Sequence, residues 1–299
     1  MVARAKINLF LDVGPRRQDG YHEIRSVMQS VELSDELYFR RTAGVGGRVV
    51  IRCNDKCIPT SGENLVWKAI EAFDARTGML GDGGIDVLIN KRIPIGAGLA
   101  GGSADAAATL IAMNHVFELD MPAEALAEIG AAVGSDVPFC VHGGTALVTG
   151  RGERIEPLEP LPPFQVVLAS SGEEVSTREV YRRFDSLVES VGARGAEGTK
   201  ESLEGLLEGI RKHDFEGIYS NLHNSLEPAT VAVERVEQYK DIARRAGASA
   251  VLMTGSGPTV FALVSGMERA AEVAWELEKA APITIVTSFA GRGAELIAV

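Results

Sequence analysis

Cysteine is scarce in this chain: Cys53, Cys57 and Cys140 are the only three in 299 residues. With no second pair they complete neither a four-ligand zinc site nor a disulfide framework, and a reduced, intracellular setting is the simplest reading. Long apolar runs are missing too. The longest, residues 249–253 and 259–264, have the length of strands and fall short of a bilayer span. The opening MVARAKINLF has neither an extended apolar stretch nor a cleavage site, so no signal peptide and a cytoplasmic location are expected. Positive charge is in deficit, with 30 Lys and Arg against 41 Asp and Glu, a net charge of −11. That argues against nucleic acid or a membrane as partner and leaves room for a local basic pocket. His115, His142, His213 and His223 have no ligand spacing and read as structural or surface residues.

What is present is a globular balance, 45% hydrophobic and 24% charged, in a chain long enough for two domains. The most informative stretch is IPIGAGLAGGSADAAA, residues 93–108. Gly96, Gly98, Gly101 and Gly102 permit backbone angles and close approaches that a Cβ would block. A loop bare of side chains, followed at once by a helix with free N–H groups, suits a phosphate chain; the bland alternative is a flexible linker. It is neither a Walker A loop, lacking the lysine–hydroxyl pair, nor a dinucleotide fingerprint. Ser103 is expected to cap the helix, with Asp105 in its first turn.

Along the chain, residues 1–13 alternate as a strand, 14–23 form a polar turn, and 24–39 keep a period of two. Short strands follow at 49–52 and 85–89, with helices expected at 64–76, 103–114 and 122–132. Four prolines in EPLEPLPPF, residues 156–164, mark a domain junction and divide the chain into 1–155 and 156–299. Beyond it come a strand at 166–169, helices near 177–190, 198–212, 229–246 and 267–280, and strands near 249–253, 259–264 and 283–288. The mixture lacks a strict βαβ rhythm, which predicts an α+β fold.

Three further segments carry chemistry. Lys6 is the lone cation in AKINLFLDV; it either faces an anion, a phosphate or a carboxylate, or faces water from an edge strand. Asp136, in GSDVPF, is expected in a turn between a helix and a strand, where it either caps its own turn or serves as a base for a substrate hydroxyl during phosphoryl transfer. LMTGSGPTVFAL, residues 252–263, reads as a glycine turn between two strands.

Taken together, the lysine strand, the GLAGGS loop and the GSGPT turn resemble, in order, the three motifs of the GHMP kinase superfamily, which includes homoserine and mevalonate kinases. DGYHEI at 19–24 and GSDVPF at 134–139 narrow the resemblance to members whose acceptor is cytidine diphosphate-linked methylerythritol. It spans nearly the whole chain and is densest over residues 3–151. It implies a two-domain kinase, with an N-terminal half like domain 2 of ribosomal protein S5 and a ferredoxin-like C-terminal half. ATP would be the phosphate donor and Mg²⁺ its companion.

By matched motif, Asp136 would be the base and Lys6 its cationic partner, and Asn8 would contact substrate or phosphate. Pro94, Ile95, Gly96, Ala97, Gly98, Leu99, Ala100, Gly101, Gly102, Ser103 and Ala104 would hold ATP. Tyr21 would stack on cytosine and His22 hydrogen-bond to it, with Tyr181 the aromatic opposite and Thr177 nearby. The chain departs from the pattern at Ala100, where many members have glycine, and the register of Ser103 does not match the magnesium-binding serine of other members. The rival readings are a kinase for a different small alcohol and an inactive nucleotide-binding regulator on the same fold. A substrate panel separates the first, and an assay of ADP release the second.

Overall fold

The computed structural model describes residues 1–43, 46–81, 83–162, 164–191 and 196–297. Strands β1 (Val2–Arg16) and β2 (His22–Thr42) open the chain, followed by β3 (Arg48–Cys53), helix α1 (Leu65–Thr77) and β4 (Gly84–Asn90). Then come α2 (Gly101–Val116), α3 (Ala123–Val133), α4 (Val137–His142), β5 (Thr145–Gly150), β6 (Arg154–Pro157) and β7 (Gln165–Ser170). The remainder is α5 (Thr177–Val191), α6 (Ala196–Lys212), α7 (Phe215–Ser220), β8 (His223–Asn224), α8 (Val233–Arg245), β9 (Ala250–Met253), β10 (Val260–Val264), α9 (Met267–Glu278) and β11 (Ile283–Ser288).

The first sheet runs β3-β4-β2-β1-β8, with β5 pairing to the other end of β2 and β6 to β5. The β1–β2 hairpin is longer at its turn than the sequence predicts, because pairing continues to Arg16 and His22. Helices α1 to α4 cover this sheet around a core of its own, which includes Ile70, Phe73, Val87, Leu110 and Phe139. In α1, Val66, Ala69, Ile70 and Phe73 form the buried stripe that a 3.6-residue period produces. Asn64 caps this helix by accepting from the N–H of Val66, and Gly78 ends it in the left-handed conformation. Helix α2 is buried along Ala104 to Leu110, and its alanines let neighbouring backbones approach closely.

The second sheet, β11-β7-β10-β9, is antiparallel throughout, and its central strands β7 and β10 are buried on both faces. In β10, Val260, Ala262 and Val264 face a core shared with Val236, Tyr239 and Leu277, from α8 and α9. Phe261 and Leu263 face the opposite way, into a core that also holds Ile7, Leu9 and Phe10 of β1 and Leu206 and Ile210 of α6. The two sheets thus share one layer of side chains.

Three local expectations change. Ser103 does not cap α2: the helix begins at Gly101, and its cap is Ala100, at φ 57° and ψ 31°. A left-handed conformation suits glycine better than alanine, so Ala100 carries strain here. Asp105 consequently lies beyond the first turn. The segment after Asp136 is a short helix, not a strand, with Pro138 near its start where proline is tolerated. The helix expected from 229 starts at Val233, after a single turn of 3₁₀ helix at Glu227–Ala229. In the proline-rich segment, Pro157 still belongs to β6 of the first sheet, and Pro163 lies outside the described residues.

Candidate active site

A cavity of about 1100 Å³ opens where β1, the glycine loop, the turn before α4, the start of α5 and the β9–β10 turn converge. Lys6 sits at its base, buried. Its ammonium donates to Asn8 Oδ1 at 2.7 Å and to the Gly98 carbonyl at 3.1 Å, and lies 3.6 Å from Asp136 Oδ2. The lysine therefore faces anions and not water. Burial of a cation is tolerable here because each direction of the ammonium meets an oxygen.

Asn8 is held in turn from three sides. Its amide donates to Ser26 Oγ at 2.9 Å, its N–H donates to Thr254 Oγ1 at 3.0 Å, and its Oδ1 accepts from Thr254 Oγ1 at 3.2 Å. Asn224 donates to the carbonyls of Met253 and Gly255 and so steadies the β9–β10 turn from below. The glycines of that turn and of the loop interlock. A Cβ on Gly255 would lie 3.0 Å from the Gly98 carbonyl, and one on Gly96, at φ +61°, would lie 2.9 Å from Glu174 Cγ.

Asp136 is part-exposed at the N-terminal edge of α4 and caps no backbone N–H with its side chain. Pro94 through Ser103 line the cavity, whereas Ala104 is fully buried behind the loop and does not. The loop ends on the free N–H groups of the first turn of α2, the positive end of a 16-residue helix.

At the far end of the cavity, Tyr21 is 51% exposed at the tip of the hairpin, with the Arg151 guanidinium 5.3 Å from its ring centre. The ring of His22 is buried, 5.1 Å from that of Tyr181, and its Nε2 lies 2.7 Å from Asp185 Oδ1. Burial pushes the Tyr181 phenol above its ordinary range, with Asp136 adding to the shift. Thr177 Oγ1 meets Ser256 Oγ at 3.1 Å, which ties the start of α5 to the β9–β10 turn. Arg16, Lys91, Arg151, Arg178 and Arg182 line the cavity with Lys6, against the carboxylates of Asp19, Glu63, Asp105, Asp136 and Asp185, so the pocket is close to charge balance in a chain that is acidic as a whole.

Sequence reasoning missed Asp185, Arg151 and the buried pair of Asp35 and Lys91. Asp185 does have a local signal: it follows Tyr181 by four residues on α5, which puts the two on one helix face.

The chain matches the family model of the GHMP kinases N terminal domain over residues 64–144 and that of the GHMP kinases C terminal over 206–283. It is 44% identical over 274 residues to the 4-diphosphocytidyl-2-C-methyl-D-erythritol kinase of Pelotomaculum thermopropionicum, covering 91% of each chain. With the enzyme of that name from Bacillus subtilis it shares 42% over 264 residues, 88% of this chain and 86% of the other. A crystal structure of 4-(cytidine 5'-diphospho)-2C-methyl-D-erythritol kinase superposes with a TM-score of 0.76 at 32% identity, over 97% of this chain and 99% of that one. A mevalonate kinase from L. major reaches the same TM-score at 14% identity and shares the fold alone.

Proposed function

The chain belongs to the 4-diphosphocytidyl-2-C-methyl-D-erythritol kinase family of the GHMP kinases, and we propose that Lys6 and Asp136 carry its phosphoryl transfer. The reaction moves the terminal phosphoryl group of ATP to the 2-hydroxyl of 4-diphosphocytidyl-2-C-methyl-D-erythritol, in the non-mevalonate route to isoprenoid precursors. The observation that carries the assignment of roles is the bridge made by one ammonium. Lys6 contacts the Gly98 carbonyl of the glycine loop on one side and the Asp136 carboxylate, at 3.6 Å, on the other.

Asp136 accepts the hydroxyl proton as the substrate oxygen bonds to phosphorus and the bond to the leaving ADP oxygen breaks. Lys6 balances the charge that gathers between carboxylate and phosphate. Asn8 holds Lys6 in place through the 2.7 Å bond to its Oδ1. The loop from Pro94 to Ser103 receives the ATP phosphates on backbone donors, with Ala104 backing it. Tyr21 and Tyr181 flank the cytosine, His22 hydrogen-bonds to its edge, and Thr177 lies beside it.

Magnesium accompanies ATP. Among the described residues no cluster of three carboxylate, histidine or cysteine side chains forms a metal cage. The ion would arrive with the nucleotide, and its contribution would be to neutralise phosphate charge. The working unit has an N-terminal part, residues 1–155, bearing the loop, Lys6 and Asp136, and a C-terminal part, 156–299, bearing Tyr181. It acts in the cytoplasm on a small molecule, with no nucleic acid or membrane as partner. The test is ADP release with the cytidine substrate, with mevalonate and with homoserine. Turnover confined to the first supports the reading, and turnover on either of the others with none on the first overturns it.

A further inference from the structure

Outside the transfer site, the chain buries a second set of charges. Lys91 donates to Asp35 Oδ2 at 2.5 Å and to Asp105 Oδ2 at 2.8 Å. All three side chains are almost wholly removed from solvent, at 6% exposure or less. Two carboxylates around one ammonium is a costly arrangement in a protein interior, and it stabilises less than an apolar core of the same volume. Its position suggests what the arrangement does.

Asp35 comes from β2, and its Oδ1 accepts the N–H of Arg92 at 2.5 Å and of Ile93 at 2.9 Å, fixing the backbone where the glycine loop begins. Asp105 stands on α2, one turn past where the loop ends. Lys91 spans the two, and a Cβ on Gly101 would lie 3.2 Å from its Nζ. Entrance and exit of the loop are thus tied through one ammonium. Lys91 and Asp105 also border the cavity, and Oδ1 of Asp105 has no hydrogen-bond partner among the described residues.

We propose that Lys91, with Asp35 and Asp105, is a positioning device for ATP that sets the spacing between the two ends of the glycine loop. It touches no reacting atom. Its effect passes through the direction of the loop's N–H groups and of the first turn of α2. Small displacements of such donors weaken phosphate binding while leaving the cytosine end of the cavity alone. Burial pushes the Asp105 carboxyl up to about 7, with Asp35 adding to the shift against the pull of Lys91. A neutral carboxyl retains its carbonyl acceptor for Lys91, so the tie survives protonation.

The proposal rests on the assignment of this loop to ATP, and the test separates the two. Asp105→Ala cuts the exit tie and leaves a neutral Lys91–Asp35 pair, so the protein keeps its fold. Calorimetric titration with ADP should show the affinity of this variant falling about tenfold, the order that one misdirected hydrogen bond to a charged group commands. Cytidine diphosphate should bind as before. Asp105→Asn restores an acceptor and should recover most of the affinity. Lys91→Met/Asp105→Asn leaves Asp35 with its two backbone donors and should match Asp105→Ala. Unchanged ADP affinity in Asp105→Ala, equal loss of ADP and cytidine diphosphate binding, or no rescue by Asp105→Asn would each overturn the proposal. Gly101→Val is the control for the reading beneath it. If that variant still binds ADP, the loop itself is misassigned; if it does not and Asp105→Ala binds ADP with unchanged affinity, only the positioning role fails.

Discussion

Gly98 and the carbonyl of Thr254 are locked together: a Cβ on this glycine would lie 2.4 Å from that oxygen, closer than real carbon–oxygen contacts come. The glycine also sits at φ +77°, a region that L side chains rarely adopt. Its neighbour Leu99 accepts the N–H of Lys6, and Gly98 itself accepts from the Lys6 ammonium. One residue thereby joins the glycine loop, the strand that carries Lys6 and the β9–β10 turn. Gly98→Ala is expected to lower both ADP affinity and thermal stability, the backbone strain alone costing about 1–2 kcal/mol. Calorimetry and a melting curve check it, and an alanine variant with unchanged values would show that the loop has room the geometry denies.

Asp136→Ala should lower kcat by ~10² or more, the usual reach of a positioned base, with ADP affinity little changed. Asp136→Asn keeps the shape and the contact to Lys6 but cannot take a proton, and should fall as far. Steady-state kinetics with the cytidine substrate decide the matter. A variant with near-normal kcat would reduce Asp136 to a structural member of the turn.

On the proposed reading, Tyr21 and Tyr181 are the part of the site that selects a cytidine acceptor. Tyr21→Ala should weaken binding of the cytidine substrate by ~1–3 kcal/mol, the value of a base stacked on an aromatic ring. Tyr21→Phe should be mild, because stacking uses the ring face. A cytidine nucleotide should compete with the alcohol substrate and not with ATP. Normal substrate binding by the alanine variant would remove Tyr21 from the site.

The buried Asp105 gives a signature in stability against pH. Its carboxyl titrates at about 7 in the folded chain, against 3.8 as the ordinary value. Between these two pH values the folded state holds a proton that the unfolded state has lost. Its contribution to stability is therefore full below the ordinary value, declines as pH rises through the window, and levels off above the folded one. Melting temperatures of the wild type relative to Asp105→Asn should fall across that window and then run parallel. A constant difference from acid to neutral pH would mean that Asp105 ionises like an exposed carboxylate.

The elements with strong local periodicity were legible in the sequence: the opening hairpin, α1, and the β9–β10 pair around GSGP. So was the GHMP kinase character, because its three motifs are short and carry their chemistry in local residue types. What could not be read has one physical reason in common. Asp35, Lys91 and Asp105 are brought together only by sheet pairing and helix packing, and no spacing along the chain announces them. The pairing of His22 with Asp185 bridges 163 positions and is equally silent. Helix α4 was hidden for a different reason, since VPFCVH is apolar and short enough to pass for a strand.

Strand β2 has a further consequence for which acceptors the pocket can take. His22 stands at its first residue, beside Tyr181; Ser26 holds Asn8 from below; Asp35 anchors the loop entrance farther along. The strand is a ruler laid under the cavity, marked at the proposed cytosine end, the lysine and the proposed phosphate end. Loops elsewhere can lengthen without altering those marks. Two residues inserted between Ser26 and Asp35 would preserve which side chains face inward, yet shift one end from the other by roughly 7 Å at ~3.4 Å per residue. If base and reacting hydroxyl bind as proposed, the length of the accepted molecule is written in the residue count of one strand.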